Sequence, residues 1–205
     1  MNICLFSGQG DNKKIIFNDY SNKYFKIIEK QLKINKKDIL EKKYIFKNQI
    51  LMLVNNVASF DKLKVENNIF FNNINTMVGY SLGEYSSLVC SGSLNFEDCL
   101  NLIKFRSEIM YEVGKKTNST LITIIGINEF YLKILLKGIK YYISIYLSKK
   151  SFVLAVSKND LNDIIKKIKN IKKFNKIGIK ILNVDGGFHS PYMNNCVDKF
   201  KKFID

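Results

Sequence analysis

Thr76-Met77-Val78-Gly79-Tyr80-Ser81-Leu82-Gly83-Glu84-Tyr85-Ser86-Ser87-Leu88-Val89-Cys90 joins an extended, partly apolar run to a helix-compatible one through the pattern Gly-x-Ser-x-Gly. That context predicts a nucleophile elbow, a sharp strand-to-helix turn that pushes a serine hydroxyl away from the backbone. Glycines suit it because a strained turn and close strand–helix packing leave no room for Cβ atoms. Ser81 is then expected at a helix N-terminus, where free N–H groups and the helix dipole favour negative charge. Such a place can hold the oxyanion of an acyl-transfer intermediate.

Working outward, strand and helix signals alternate. Residues 2–6 read as a strand, followed by the loop Ser7-Gly8-Gln9-Gly10. Residues 14–33 read as helical, with Ile15, Ile16, Tyr24, Ile27 and Ile28 among the apolar positions, and 48–64 as a second helix. Residues 75–79 enter the elbow, 82–91 leave it, and Asn95 or Ser93 can cap a further helix over 96–112. Strand, helix, strand, helix predicts a parallel sheet with helices on its faces.

Beyond residue 118 the pattern changes. Strands are expected over 119–126, 141–147, 151–156 and 178–183, helices over 128–137 and 159–170, and a helical tail over 192–204. The order β-α-β-β-α-β is that of a ferredoxin-like module. No low-complexity linker separates the parts, so the module reads as an insertion. The expected class is α/β: an α/β-hydrolase-like parallel-sheet domain over 1–117 and 185–205, with a ferredoxin-like small subdomain over 118–184 inserted into it.

The length of 205 residues and a hydrophobic fraction of 46% fit a globular chain with a proper core. No apolar run reaches membrane-spanning length and the N-terminus has no signal-peptide pattern, so a cytoplasmic protein is expected. Cys4, Cys90, Cys99 and Cys196 form no CxxC pair and read as buried or free thiols rather than a disulfide frame or zinc site. No phosphate loop or dinucleotide fingerprint is present, so no cofactor and no metal are expected. The net charge of +15 suits an acidic partner. The lysines are scattered, however, and abundant Lys, Asn and Ile are what an AT-biased genome gives; nucleic acid is not expected as a partner.

His189 is the only histidine and follows Asp185-Gly186-Gly187. A lone histidine is more often structural than catalytic. Two features favour the catalytic reading: the Gly-Gly loop presents the ring, and a serine nucleophile needs a positioned base, usually histidine. The Gly8-Gln9-Gly10 loop, between a strand and a helix, is either a second source of backbone donors or merely a tight turn. Arg106 is the only arginine among many lysines. Its planar fork suits a carboxylate; an exposed surface charge is an equally good reading of the same residue.

Four separated segments together resemble the malonyl-CoA:acyl carrier protein transacylases of type II fatty acid synthesis: Phe6 to Gly10, Gly79 to Ser86, Arg106 to Met110, and Phe188 to Met193. Asn48-Gln49 is similar to the start of that family's helix before the elbow. The resemblance implies a Ser81–His189 dyad in a gorge between two domains, with an acyl-enzyme formed on Ser81 and ping-pong transfer to the phosphopantetheine thiol of the carrier. It implies oxyanion donors at the backbone N–H groups of Gln9 and Leu82, a malonyl carboxylate on Arg106, and Gln49 in the substrate site. The implied partners are malonyl-CoA and acyl carrier protein, for a monomer acting without nucleic acid or membrane. The chain departs from the family at Ser7 (usually Pro), at Asp11-Asn12 and at Leu147 to Ser151. Family chains also run on past the point where this one stops; the expectation is a member shortened at its C-terminus (a reduced natural version, a fragment or a product of gene decay), lacking the segment whose carbonyl orients the histidine.

Two other readings stand beside the transferase. A thioesterase or esterase would use the same dyad with water as acceptor; no intervening acid sits in a recognisable strand-end motif, and Arg106 argues against a neutral ester. A decayed, non-catalytic protein that docks carrier protein through its basic surface is the alternative from a different class.

Overall fold

The computed structural model describes residues 2–9, 17–170 and 177–205. The chain forms two compact units, Met1–Glu108 and Ile109–Asp205.

The first unit contains β1 (Asn2–Phe6), α1 (Ser21–Leu32), α2 (Lys36–Glu41), α3 (Lys47–Glu66), α4 (Asn68–Asn72), β2 (Ile74–Gly79), α5 (Gly83–Cys90) and the first half of α6 (Phe96–Thr117). Strands β1 and β2 pair in parallel, with Leu5 beside Val78 and Phe6 beside Gly79. This is the parallel pairing expected from the alternating order, and it places the end of β1 next to the start of the elbow. Between Gln49 and Phe60, helix α3 is buried nearly all round, as a helix segment surrounded by others must be. Its Ile50, Leu53, Val54, Val57 and Ala58 meet Phe25 and Ile28 of α1, Ile39 of α2, and Phe96, Cys99, Leu100 and Ile103 of α6. Full burial of each large side chain here contributes about 1.5–3 kcal/mol.

Two local outcomes differ from the sequence expectations. The first helix was expected over 14–33; residues 14–16 lie outside the described residues, and α1 begins only at Ser21. Asn18 and Ser21 close a reciprocal turn, Ser21 N–H to the Asn18 carbonyl at 2.9 Å and Asn18 N–H to Ser21 Oγ at 3.0 Å. Short polar side chains of this kind offer the backbone an alternative to helix. Phe17 still packs on the core. Helix α2 carries no helical periodicity in sequence; it is set by an Asn35 cap, whose Oδ1 accepts from Asp38 N–H at 2.8 Å, and by the single buried anchor Ile39. Of the two caps expected for α6, Asn95 is the one formed: its Oδ1 accepts from Asp98 N–H at 2.7 Å.

The second unit is built on β3 (Ser119–Ile125), α7 (Glu129–Leu135), β4 (Tyr141–Ser148), β5 (Ser151–Ser157), α8 (Leu161–Lys169), β6 (Gly178–Ile181) and α9 (Asn194–Ile204). Its sheet is antiparallel in the order β4-β5-β3-β6. Strands one and three of the module are central and two and four are at the edges, the ferredoxin-like arrangement. Strand alternation divides β3 and β5 between two faces. Ile122, Ile124, Phe152, Leu154 and Val156 meet Leu132, Leu136, Ile164 and Ile168 from the helices. Leu121, Val153 and Ala155 point the other way and are covered by Val184, Phe188 and Tyr192. The face opposite the helices therefore receives the segment that carries His189. Among the described residues, no helix is long and apolar enough to cross a membrane.

Candidate active site

Ser81 sits at φ 53° between β2 and α5, half-buried. Positive φ is rare for a residue with a side chain and requires the surroundings to impose it. Here they do. Tyr80 N–H donates to the Phe6 carbonyl at 3.0 Å, continuing the β1–β2 pairing to the edge of the turn. Gly83, Glu84 and Tyr85 then donate to the carbonyls of Tyr80, Ser81 and Leu82 at 2.9, 3.1 and 3.2 Å, winding the first turn of the helix tightly. A Cβ at Gly79 would overlap the backbone of Glu84, and one at Gly83 would overlap the Phe6 carbonyl oxygen. The glycines of the motif are thus required by approach of backbone to backbone.

Leu82 carries its side chain into the core, 1% exposed, which fixes the residue after the serine. The loop after β1 lies against the same turn: a Cβ on Gly8 would sit 2.5 Å from the Tyr80 carbonyl oxygen. Gln9 follows it and is exposed. Gly10, the last residue of the loop, lies outside the described residues.

Arg106 is half-buried, and the reason is its place on α6. Cys99 and Ile103 are buried at helical spacing, and Arg106 falls one step further along that stripe. Its Nη1 donates to Oε1 of Gln49, a buried residue in the first turn of α3, at 2.5 Å. The guanidinium also lies 5.7 Å from the centre of the Tyr85 ring, a cation–π arrangement. Burial pushes the Tyr85 phenol upward, and the neighbouring Arg106 charge pulls it back. Of the two readings of Arg106 left open by the sequence, the exposed charge is set aside. Tyr85 is the neighbour of Arg106 that sequence reasoning did not single out; it lies four residues after Ser81, on the helix leaving the elbow.

His189 is described within the second unit. It too has positive φ, 56°, and it is exposed. The residues around it are pinned. Gly187 N–H, buried, donates to Ser119 Oγ at 2.8 Å, and Ser119 shares a further hydrogen bond of 2.8 Å with Thr117 Oγ1. Ser190 Oγ donates to the Gly187 carbonyl at 2.5 Å and accepts from Tyr192 N–H at 3.3 Å. Tyr192 packs edge-on against Tyr142 of β4, ring centres 5.4 Å apart. Pro191 starts a short 3-10 turn that Ser190 caps. The ring is carried on a turn fastened on both sides. Among the described residues, four non-glycine positions have positive φ, and Ser81 and His189 are two of them.

The structure thus brings Gln49, Arg106 and Tyr85 together beside the helix that Ser81 opens, and holds His189 on a fixed turn of the second unit. All four cysteines are free thiols, with Cys99 and Cys196 buried.

The sequence profile of the acyl transferase domain matches residues 36–203. A malonyl CoA-acyl carrier protein transacylase of Buchnera aphidicola subsp. Baizongia pistaciae (strain Bp) is 37% identical over 106 residues, which is 52% of this chain and 32% of that protein. The polyketide biosynthesis protein PksE of Bacillus subtilis (strain 168) is 31% identical over 133 residues, 62% of this chain and 16% of that protein. Among solved structures, the malonyl-CoA:acyl carrier protein transacylase from Helicobacter pylori superposes with a TM-score of 0.82 at 22% identity, covering 98% of this chain and 68% of that one. The matched stretches span a third or less of those two curated relatives and about two thirds of the solved structure. With most of its length matched by that profile and its fold shared with a solved transacylase, this chain belongs to the acyl transferase domain family.

Proposed function

We propose that this chain transfers a malonyl group from malonyl-CoA to the phosphopantetheine thiol of acyl carrier protein. The observation that carries the reading is Ser81 at φ 53° on a glycine-bounded elbow, in a chain of the acyl transferase family. His189 removes the Ser81 proton. Ser81 Oγ attacks the thioester carbonyl, and the carbonyl electrons move onto oxygen. The backbone N–H groups of Leu82 and Gln9 receive that oxyanion; the first-turn bonds of α5 take up the N–H groups of Gly83, Glu84 and Tyr85. Collapse of the intermediate breaks the carbon–sulfur bond, and coenzyme A leaves with the proton from His189. The carrier thiol repeats the sequence in reverse, with His189 again as base.

Arg106 pairs with the free malonyl carboxylate. Its orientation by Gln49 and its seat over Tyr85 support this role, since a held guanidinium fork loses less freedom when a carboxylate arrives. The net charge of +15 suits the anionic coenzyme and an acidic carrier. We assign the activity to type II fatty acid synthesis in the cytoplasm, carried out by a monomer without metal or cofactor.

The deciding experiment incubates the chain with malonyl-CoA, with and without phosphopantetheinylated carrier protein, and separates the products. Malonyl-carrier is the expected product. Free malonate formed equally in both incubations makes the chain a hydrolase; no turnover in either, with carrier still bound, makes it a non-catalytic docking protein.

A further inference from the structure

We infer that Asn56 is a positioning residue: its side-chain amide ties the loop after β1 to the helix behind Ser81 and so sets the spacing between the two sources of oxyanion donors. This rests on the acyl-transfer reading above.

Asn56 lies in the middle of α3 and is 8% exposed, among Val54, Val57 and Ala58. An asparagine is a poor choice there for helix stability, and burying an amide costs roughly 1–3 kcal/mol unless it is hydrogen-bonded. Its hydrogen-bonding groups are engaged by two distant segments. Nδ2 donates to the Ser7 carbonyl at 2.9 Å and to Ser86 Oγ at 3.1 Å. Oδ1 accepts from Ser7 Oγ at 3.1 Å. Ser7 is therefore held by both its backbone and its side chain, and Ser86 is fully buried on α5. One amide thus joins segments 49 and 30 residues away in sequence.

The two segments are those that carry the donors. Gln9 is two residues beyond Ser7, and Leu82 is four residues before Ser86, at the start of the same helix. Oxyanion donors act only within about 2.7–3.1 Å of the developing charge. A shift of one donor relative to the other weakens the transition state while leaving the bound thioester nearly unaffected. A serine at position 7 supplies the hydroxyl that makes the tie two-sided; a proline there, having no side-chain donor, could not.

The test compares wild type with Asn56→Leu, Ser7→Ala and Ser7→Thr. Asn56→Leu removes all three bonds, Ser7→Ala removes one, and Ser7→Thr keeps a hydroxyl. The expected result is a fall in kcat of about 10- to 100-fold for Asn56→Leu, the scale of a small misplacement of reacting groups. A smaller fall is expected for Ser7→Ala and near-complete retention for Ser7→Thr, with KM for malonyl-CoA within about twofold throughout. A second readout needs no substrate: amide hydrogen exchange of the segment 2–9 in wild type and Asn56→Leu, expected to be faster in the variant while the core of α3 is unchanged. Wild-type kcat in Asn56→Leu overturns the inference. So does unchanged exchange of 2–9. Should wild type transfer no malonyl group, the functional reading fails, and the exchange comparison alone decides whether Asn56 holds the loop.

Discussion

Arg106 Nη1 and Gln49 Oε1 are 2.5 Å apart, joining α6 to the first turn of α3 by a hydrogen bond between a guanidinium and a buried amide. The bond fixes the only arginine of the chain at the end of an apolar stripe. Under the malonyl reading, a hydrogen-bonded charge pair contributes about 1.5–3 kcal/mol, or roughly 10- to 100-fold in binding. Arg106→Ala is therefore expected to lower kcat/KM for malonyl-CoA by about that factor relative to acetyl-CoA. Arg106→Lys restores the charge but not the fork, and recovers only part of the preference. Competition between the two thioesters measures it; an unaltered ratio in Arg106→Ala removes Arg106 from substrate recognition.

Gly83 opposes the carbonyl oxygen of Phe6, and the obstacle to a side chain there is main chain on both sides. Gly83→Ala must push the end of β1 and the start of α5 apart. The expected loss of stability is about 1–3 kcal/mol or more, the range for overpacking that backbone must absorb. Urea unfolding gives the value, and acylation of Ser81 is expected to be lost in the fraction that folds. A wild-type midpoint would mean that the elbow is far looser than its contacts indicate.

The turn that carries His189 depends on Ser119 at a distance of 68 residues. Ser119→Ala leaves the buried Gly187 N–H without its acceptor. An orphaned buried donor costs about 1–3 kcal/mol. Denaturant midpoints of the two proteins measure this, and a difference below the error of the measurement would show that the Gly187 amide finds another partner.

Burial raises the acid groups behind the elbow. Cys99 is pushed up to about 12 from its ordinary 9.0. Cys90 is raised, by burial first and then by the Asp61 charge. Tyr24 is raised by burial and by its 2.5 Å hydrogen bond to Asp61. In each case the folded state keeps a proton that the unfolded chain releases. Stability is thus whole below the ordinary thiol value of 9.0 and is lost as pH rises from there towards about 12. The melting temperature should fall across that alkaline range. The same shift makes Cys99 slow to alkylate near neutral pH, because the thiolate is the reactive species. A melting temperature that is flat above pH 9.0, or rapid alkylation of Cys99, would contradict the burial of these thiols.

The elbow was legible because its information is local: five residues, their glycines and the change of period on either side. The ferredoxin-like order was legible for the same reason, and the order β4-β5-β3-β6 follows from it. Helices α2 and α4 span six and five residues and show no apolar repeat, so periodicity could not find them. The start of α1 was misread because a local Asn18–Ser21 turn outweighs helical pattern over a few residues. Arg106 was ambiguous until its neighbours Cys99 and Ile103 proved to be buried. The ties of Asn56 to Ser7 and of Ser119 to Gly187 join residues 49 and 68 positions apart. A hydrogen bond across such a separation leaves no mark in sequence spacing.

The proposed transfer requires the hydroxyl of Ser81 to accept an acyl group. Intact mass spectrometry of the protein after brief exposure to malonyl-CoA, followed by peptide mapping, tests it most directly. One malonyl group per chain is expected, on the peptide that contains Ser81, and none on Ser81→Ala. A wild-type protein that stays unmodified, or carries the group on another residue, contradicts it.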